Sequence, residues 1–204
     1  NSIVSTSRVL QFFKKRNTLI NKIIYSSSSS VYGQNEFCLE TDTPMPLSLP
    51  ASLKLANEYL VQKFFNEENI NYVLTRIFNM YGGNDQFSII SKLINAINNK
   101  KEIYLINNGS AVRDFIHISD VVNAYKILLE KSPLPPIINI ATGSGRSISS
   151  ILAFFRENGY DFKLKNIQMN EIKVSIADNS NLIQISGLNN FRSLENFLLD
   201  SLKK

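Results

Sequence analysis

Apolar positions in this chain recur with two different periods. From Ile3 to Phe13 they follow helical spacing, and Lys22-Ile23-Ile24-Tyr25-Ser26 then reads as a short buried strand that ends in a run of serines. The same pattern predicts a helix from Pro50 to Asn66 with Ser48 as its cap, a strand from Tyr72 to Ile77 and a helix from Phe87 to Asn98. Short strands follow at Glu102 to Ile106 and Asp114 to Ile118, then a helix from Ser119 to Glu130 with Ser119 as cap and Asp120 in its first turn. Ile137 to Ile140 is the next strand, and Ser147 caps a helix to about Glu157. Beyond it, Ile172 to Ile176 and a last helix from about Ser193 suggest a small cap. Strands alternating with helices argue for an α/β fold on a parallel sheet. No internal repeat or long linker interrupts it.

Composition fits one domain with a sizeable core: 204 residues, 44% hydrophobic and 19% charged. The net charge of +5 comes from mixed acidic and basic positions. The clusters Lys14-Lys15-Arg16 and Lys203-Lys204 fall at expected helix ends, where cations offset the helix dipole. A solvated surface is therefore expected, with no nucleic-acid partner. Cys38 is the single cysteine, placed in a loop-like stretch without metal-ligand neighbours. It allows no internal disulfide and suggests no metal, so a reducing cytoplasm is the simplest compartment. No apolar stretch reaches the roughly 18 residues of a membrane span, so a soluble chain with no membrane partner is expected.

Candidate chemistry concentrates where the first strand ends, since open α/β sheets place ligands beyond the carboxyl ends of their strands. Two motifs lie there: Ser26-Ser27-Ser28-Ser29-Ser30-Val31-Tyr32-Gly33, and Pro46 to Glu58, which includes Pro50, Lys54 and Ala56-Asn57-Glu58. Read alone, the serines are a polar turn and Lys54 a surface lysine. Together they resemble the active-site region of the extended short-chain dehydrogenase/reductases, the NAD-dependent epimerase/dehydratase family that remodels nucleotide sugars. Further motifs resemble it in order: Arg76-Ile77-Phe78-Asn79-Met80-Tyr81-Gly82, Gly109 to Val121 around Arg113-Asp114-Phe115, Asn139 to Gly145, and Ala177-Asp178.

The resemblance implies a Rossmann-like parallel sheet, residues 1–80 and 119–142, with a substrate-binding part at 81–118 and 143–204. It implies Ser28 and Lys54 as catalytic residues, and Ser26, Lys54 and Phe78 on the cofactor side, with NAD or NADP as cofactor. Ser28, Asn79, Phe87 and Arg113 would hold a nucleotide-diphosphate sugar. Arg113 reads equally as an ion-pair partner, although a planar fork suits a diphosphate. His117 reads as a satisfied strand residue. Family members pair through a four-helix bundle, so a homodimer through Ile3 to Phe13 and Ala51 to Asn66 is expected.

Departures from the family pattern are as informative. Pro50 stands where the family carries the tyrosine that exchanges a proton with the substrate. Proline suits a first helical turn, so the helix is expected to survive without the phenol. Gln168 takes the place of an arginine, Glu171 keeps only the acidic end of that segment, and Asn107 replaces a glycine. No Gly-x-x-Gly-x-x-Gly is present. The chain thus resembles the C-terminal two-thirds of the family, from the helix before the fourth strand onward. That leaves the strand at Lys22 to Ser26 with an open edge. NAD binding by this chain alone is expected to be weak. Ser29 and Ser30 stand where 4,6-dehydratases carry Asp-Glu, so epimerase or reductase chemistry is expected over dehydration. A catalytically silent nucleotide-sugar-binding or structural partner protein is the alternative.

Overall fold

A computed structural model describes residues 2–16 and 20–202. In chain order the elements are α1 (Ser2–Arg16), β1 (Lys22–Ser28), β2 (Phe37–Cys38), α2 (Leu49–Glu67), β3 (Asn71–Ile77), β4 (Asn79–Tyr81), α3 (Ile89–Asn98) and β5 (Ile103–Ile106). They continue with β6 (Val112–His117), α4 (Ile118–Glu130), β7 (Ile137–Ile140), β8 (Gly145–Ser147), α5 (Ile148–Glu157), β9 (Leu164–Ile167), β10 (Val174–Ala177), α6 (Ser180–Ser186) and α7 (Leu194–Leu202). Single 3-10 turns occupy Ser29–Tyr32 and Asn107–Gly109. The basic cluster Lys14-Lys15-Arg16 forms the last turn of α1, as expected, while Lys203-Lys204 lies outside the described residues.

The strands form a parallel sheet β1-β3-β7, a second sheet β2-β10-β6-β4 that is parallel apart from the added β8, and the parallel pair β5-β9. Two short strands, β2 and β4, pair within the second sheet, although β1 and β3, their neighbours in sequence, lie in the first. Along its other edge, β1 has no strand partner among the described residues.

Sequence and burial agree along these elements. β3 is buried from Val73 to Arg76: the apolar Val73 and Leu74 are followed by Thr75 and Arg76, which donate to Tyr25 O and to the Glu58 carboxylate. α1 and α2 cover one face of the first sheet, with Leu10, Val61, Phe65 and Leu74 in one cluster. α4 and α6 cover the other, around Val121, Leu128, Ile138 and Leu182. A third cluster joins α3, α5 and α7 beneath β5 and β6, around Ile90, Leu93, Phe155 and Leu198.

Ser48, Ser88 and Ser147 cap α2, α3 and α5 through side-chain oxygens. The expected Ser119 cap is corrected: α4 begins one residue earlier, and His117 Nδ1 accepts from Ser119 N at 3.1 Å. Cys38 is also corrected, because it lies in β2 and is fully buried.

Candidate functional site

Register brings three strand ends level: Ser28 pairs with Ile77, and Ile77 with Ile140. Whatever follows each strand is thereby gathered at one edge. After β1, Ser28 Oγ accepts from Ser30 N at 3.2 Å and from Ser30 Oγ at 3.0 Å. A hydroxyl has two lone pairs and one proton, so the local bonds occupy the acceptor positions and leave the O–H to donate. After β3, Phe78 is buried with its N–H on Ile140 O at 3.1 Å, and Asn79 Nδ2 donates to Asp114 O at 3.0 Å.

Ser28, Phe78, Asn79 and Arg113 line one cavity of about 240 Å³. A cavity of about 270 Å³ shares Asn79 and Arg113 and runs past Tyr104 and Gly109 to Glu171. Shared walls make the two one cleft, from the serine run to the cap.

Lys54 reaches the same strand end from α2. Its ammonium donates to Ser26 O at 2.8 Å and lies 5.3 Å from the Tyr25 ring centre, which leaves two of its three N–H groups free for a ligand. It does not line the 240 Å³ cavity itself. Ser26 Oγ pairs with Tyr125 Oη at 2.9 Å, so what Ser26 offers toward Lys54 is its carbonyl. Pro50 is exposed in the first turn of α2, four residues before Lys54, where its missing N–H removes no helical bond.

Behind the serines lies a buried ion pair that the motifs contained but did not reveal as a pair. Ser27, on the opposite strand face from Ser28, donates to Glu58 Oε1 at 2.5 Å. Arg76 Nε donates to the same oxygen at 3.1 Å and Nη2 to Glu58 Oε2 at 2.8 Å, with both side chains 2% exposed. Burial pulls the Arg76 guanidinium down, but the Glu58 hydrogen bonds and Tyr32 leave it above its ordinary value. The Tyr32 ring centre stands 4.7 Å from the guanidinium carbon, and its hydroxyl donates to Asn139 Oδ1 at 2.7 Å. Strands β1, β3 and β7 and helix α2 are thus tied together beneath the cleft.

At the cap end, Asp114 is fully buried and accepts from Thr142 N, Thr142 Oγ1, Gly143 N and Ala177 N at 2.7–3.4 Å. Burial raises its pKa, and those donors pull it back. Its neighbour Arg113 donates through Nη1 to Val112 O at 2.9 Å, and its Nη2 stands 3.7 Å from Glu171 Oε2. Burial lowers the Arg113 pKa against the opposing pull of Glu171.

Phe87 is not brought into this cleft: the residue is 86% exposed, in the turn that Asp85 fixes ahead of α3. His117 is spent on the α4 cap and packs edge-on against Tyr81 at 5.2 Å. Burial lowers its pKa, and a Cβ at Gly82 would collide with its Nε2. Gln168 is exposed. Among the described residues no cluster of three metal-ligating side chains occurs, and no helix is long and apolar enough to cross a membrane. A larger cavity of about 530 Å³ between α5 and α7, beside Arg146, Phe154 and Glu195, contains none of the sequence-predicted site residues.

A parallel sheet with a cleft beyond its strand ends defines a Rossmann-like α/β protein. More particularly, the chain belongs to the NAD dependent epimerase/dehydratase family, which matches residues 1–141. It is 29% identical over 156 residues to dTDP-D-glucose 4,6-dehydratase of Dictyostelium discoideum, covering 70% of this chain and 36% of that protein. It superposes with TM-score 0.91 and 26% identity on UDP-glucuronic acid 4-epimerase from Bacillus cereus in complex with UDP-glucuronic acid and NAD, covering 100% of this chain and 67% of the other. With UDP-N-acetylglucosamine 4-epimerase from Methanobrevibacter ruminantium M1 in complex with UDP-N-acetylmuramic acid, TM-score and identity are 0.86 and 30%, over 100% and 68% of the two chains. The chain spans less than half the length of the curated relatives it matches.

Proposed function

We propose that this chain forms the sugar-nucleotide cleft of an NAD-dependent nucleotide-sugar epimerase or reductase whose proton transfer is impaired. The observation that carries the reading is the single cleft joining Ser28, Asn79 and Arg113 at the level of the strand ends. Ser28 donates its O–H to a sugar hydroxyl, Asn79 positions the sugar or its phosphates, and Arg113 meets the diphosphate with its planar fork. NAD supplies the hydride acceptor in this chemistry. Ser26 O, Lys54 and Phe78 would hold its nicotinamide end, and the two free N–H groups of Lys54 fit a ribose diol.

Ser29 and Ser30 favour epimerisation or reduction over 4,6-dehydration, because both line the cavity and neither offers a carboxylate for an elimination. At the position one turn before Lys54, Pro50 has no exchangeable proton. That supports a second reading, a binding protein that retains the cleft and has lost turnover. A homodimer through α1 and α2 accompanies either reading: Val4, Val9 and Phe12 on α1 and Leu49 and Tyr59 on α2 are each more than half exposed.

Titration calorimetry with UDP-glucuronic acid tests the site. The protein should bind it, and Arg113→Ala should weaken binding by about tenfold, as expected for a lost charge-assisted pair. No binding, or binding indifferent to Arg113, would overturn the reading.

A further inference from the structure

His117 is the only histidine in the sequence, and it stands where four elements meet. It ends β6, precedes α4 and packs its ring 5.2 Å from those of Tyr81 on β4 and Phe197 on α7. The residue is 6% exposed. The first N–H groups of a helix have no partner within it, and in α4 the Ser119 N–H finds one in His117 Nδ1 at 3.1 Å. An imidazole nitrogen accepts through a lone pair, so this bond requires Nδ1 to be unprotonated and puts the ring proton on Nε2. Nε2 lies against Gly82, where a Cβ would collide with it. The neighbouring chain is pinned to the same point: Tyr81 Oη donates to Arg192 O at 3.3 Å, and Arg192 N to Asp120 Oδ2 at 2.9 Å.

Protonation reverses that role. An imidazolium has a hydrogen on each nitrogen, so Nδ1 can donate to Ser119 Oγ, 2.7 Å away, but has no lone pair for the Ser119 N–H. Three features of the surroundings oppose the charge: the ring is buried, it faces the positive end of the α4 dipole, and Arg192 stands near it ahead of α7. Asp120 in the first turn of α4 pulls the other way, Phe197 on α7 brings no charge, and Tyr81 on β4 stays neutral because burial raises its pKa. Burial dominates, and the His117 pKa lies below the ordinary imidazole value. Above about pH 6.5 the folded and unfolded chains both carry a neutral ring, and this group adds no pH dependence. Below it the unfolded chain takes up a proton that the folded one resists, so stability falls as pH falls.

We propose that His117 is a proton-operated cap: neutral, it closes the junction of β4, β6, α4 and α7, and protonated, it releases the N-terminus of α4 in mildly acidic solution. Tyr81 pairs with His117 as Asn79 pairs with Phe115, so the device lies on the two strands that carry the Asn79 and Arg113 of the cleft, while His117 lines neither of its cavities. It works the same with any ligand in the cleft or none.

The test is an NMR titration of the single imidazole in isotope-labelled protein, together with urea unfolding of the wild type and His117→Asn at pH 7.5 and 5.5. Asparagine is a preferred N-cap whose oxygen accepts at either pH. The wild-type ring should be the Nε2–H tautomer at pH 7.5 and titrate below the ordinary imidazole value. Between the two pH values the unfolding constant of the wild type should rise about three- to tenfold more than that of His117→Asn, about tenfold per pH unit being the most that one proton contributes. In hydrogen exchange the Ser119 amide should lose protection over the same range while the β3 amides keep theirs. An Nδ1–H tautomer at pH 7.5, a titration at or above the ordinary value, an equal pH dependence in the two proteins, or Ser119 protection indifferent to pH would overturn the cap. If His117→Asn does not fold, the tautomer, the titration and the Ser119 protection of the wild type decide by themselves.

Discussion

At the serine end of the cleft, Arg76 and Glu58 meet through bonds of 2.8 and 3.1 Å with each side chain 2% exposed, whereas at the cap end Arg113 and Glu171 stand 3.7 Å apart with about a fifth of each in solvent. The first pair cannot be opened without stranding a charge away from water; the second can rehydrate or accept another partner. One end of the cleft is therefore backed by fixed geometry, and the other is free to rearrange.

The largest effect is expected at the fixed end. Joined to the amino-terminal part of the Bacillus cereus 4-epimerase, the protein should turn over UDP-sugars near background, and Pro50→Tyr should raise that rate by about 10²–10⁴-fold, the usual value of positioned proton transfer. Robust turnover with Pro50 in place would show that another group moves the proton.

Stability should separate the two pairs as well. Glu58→Ala is expected to cost about 3–5 kcal/mol in urea unfolding because it leaves Arg76 buried and uncompensated, whereas Glu171→Ala should change stability by less than about 1 kcal/mol. Equal losses at both would erase the distinction. Tyr32→Phe, which removes the hydrogen bond to Asn139, should cost about 1–3 kcal/mol by the same measurement. Smallest of all is the effect at Cys38, whose thiol burial pushes up to about 11. It should label slowly with a thiol reagent at pH 8 in the native protein and fast in urea, and rapid native labelling would mean that β2 opens readily.

The long elements were legible because their patterns are long. The strand-length runs of β1, β3 and β7 and the helical spacing of α1, α2 and α4 placed the first sheet and three of its covering helices to within a few residues. β2, β4 and β8 were not visible: two or three residues show no period, and Asn79–Tyr81 or Gly145–Ser147 become strands only through pairing with β6. β9 is exposed along its length and pairs with β5 without any apolar face. At the site, the motif resemblance singled out Ser28, Asn79 and Arg113 before any geometry was known, and all three line the cleft. Phe87 was singled out too and stands in solvent. Glu58 with Arg76, and Glu171 with Arg113, lie 18 and 58 residues apart, and only folding makes partners of them.

The most direct measurement is a crystal structure of this protein grown with UDP. The diphosphate should lie within hydrogen-bonding distance of Arg113 and Asn79, with the Arg76–Glu58 pair unmoved. UDP bound in the cavity beside Arg146 and Glu195, or bound in the cleft away from Arg113 and Asn79, would contradict the account.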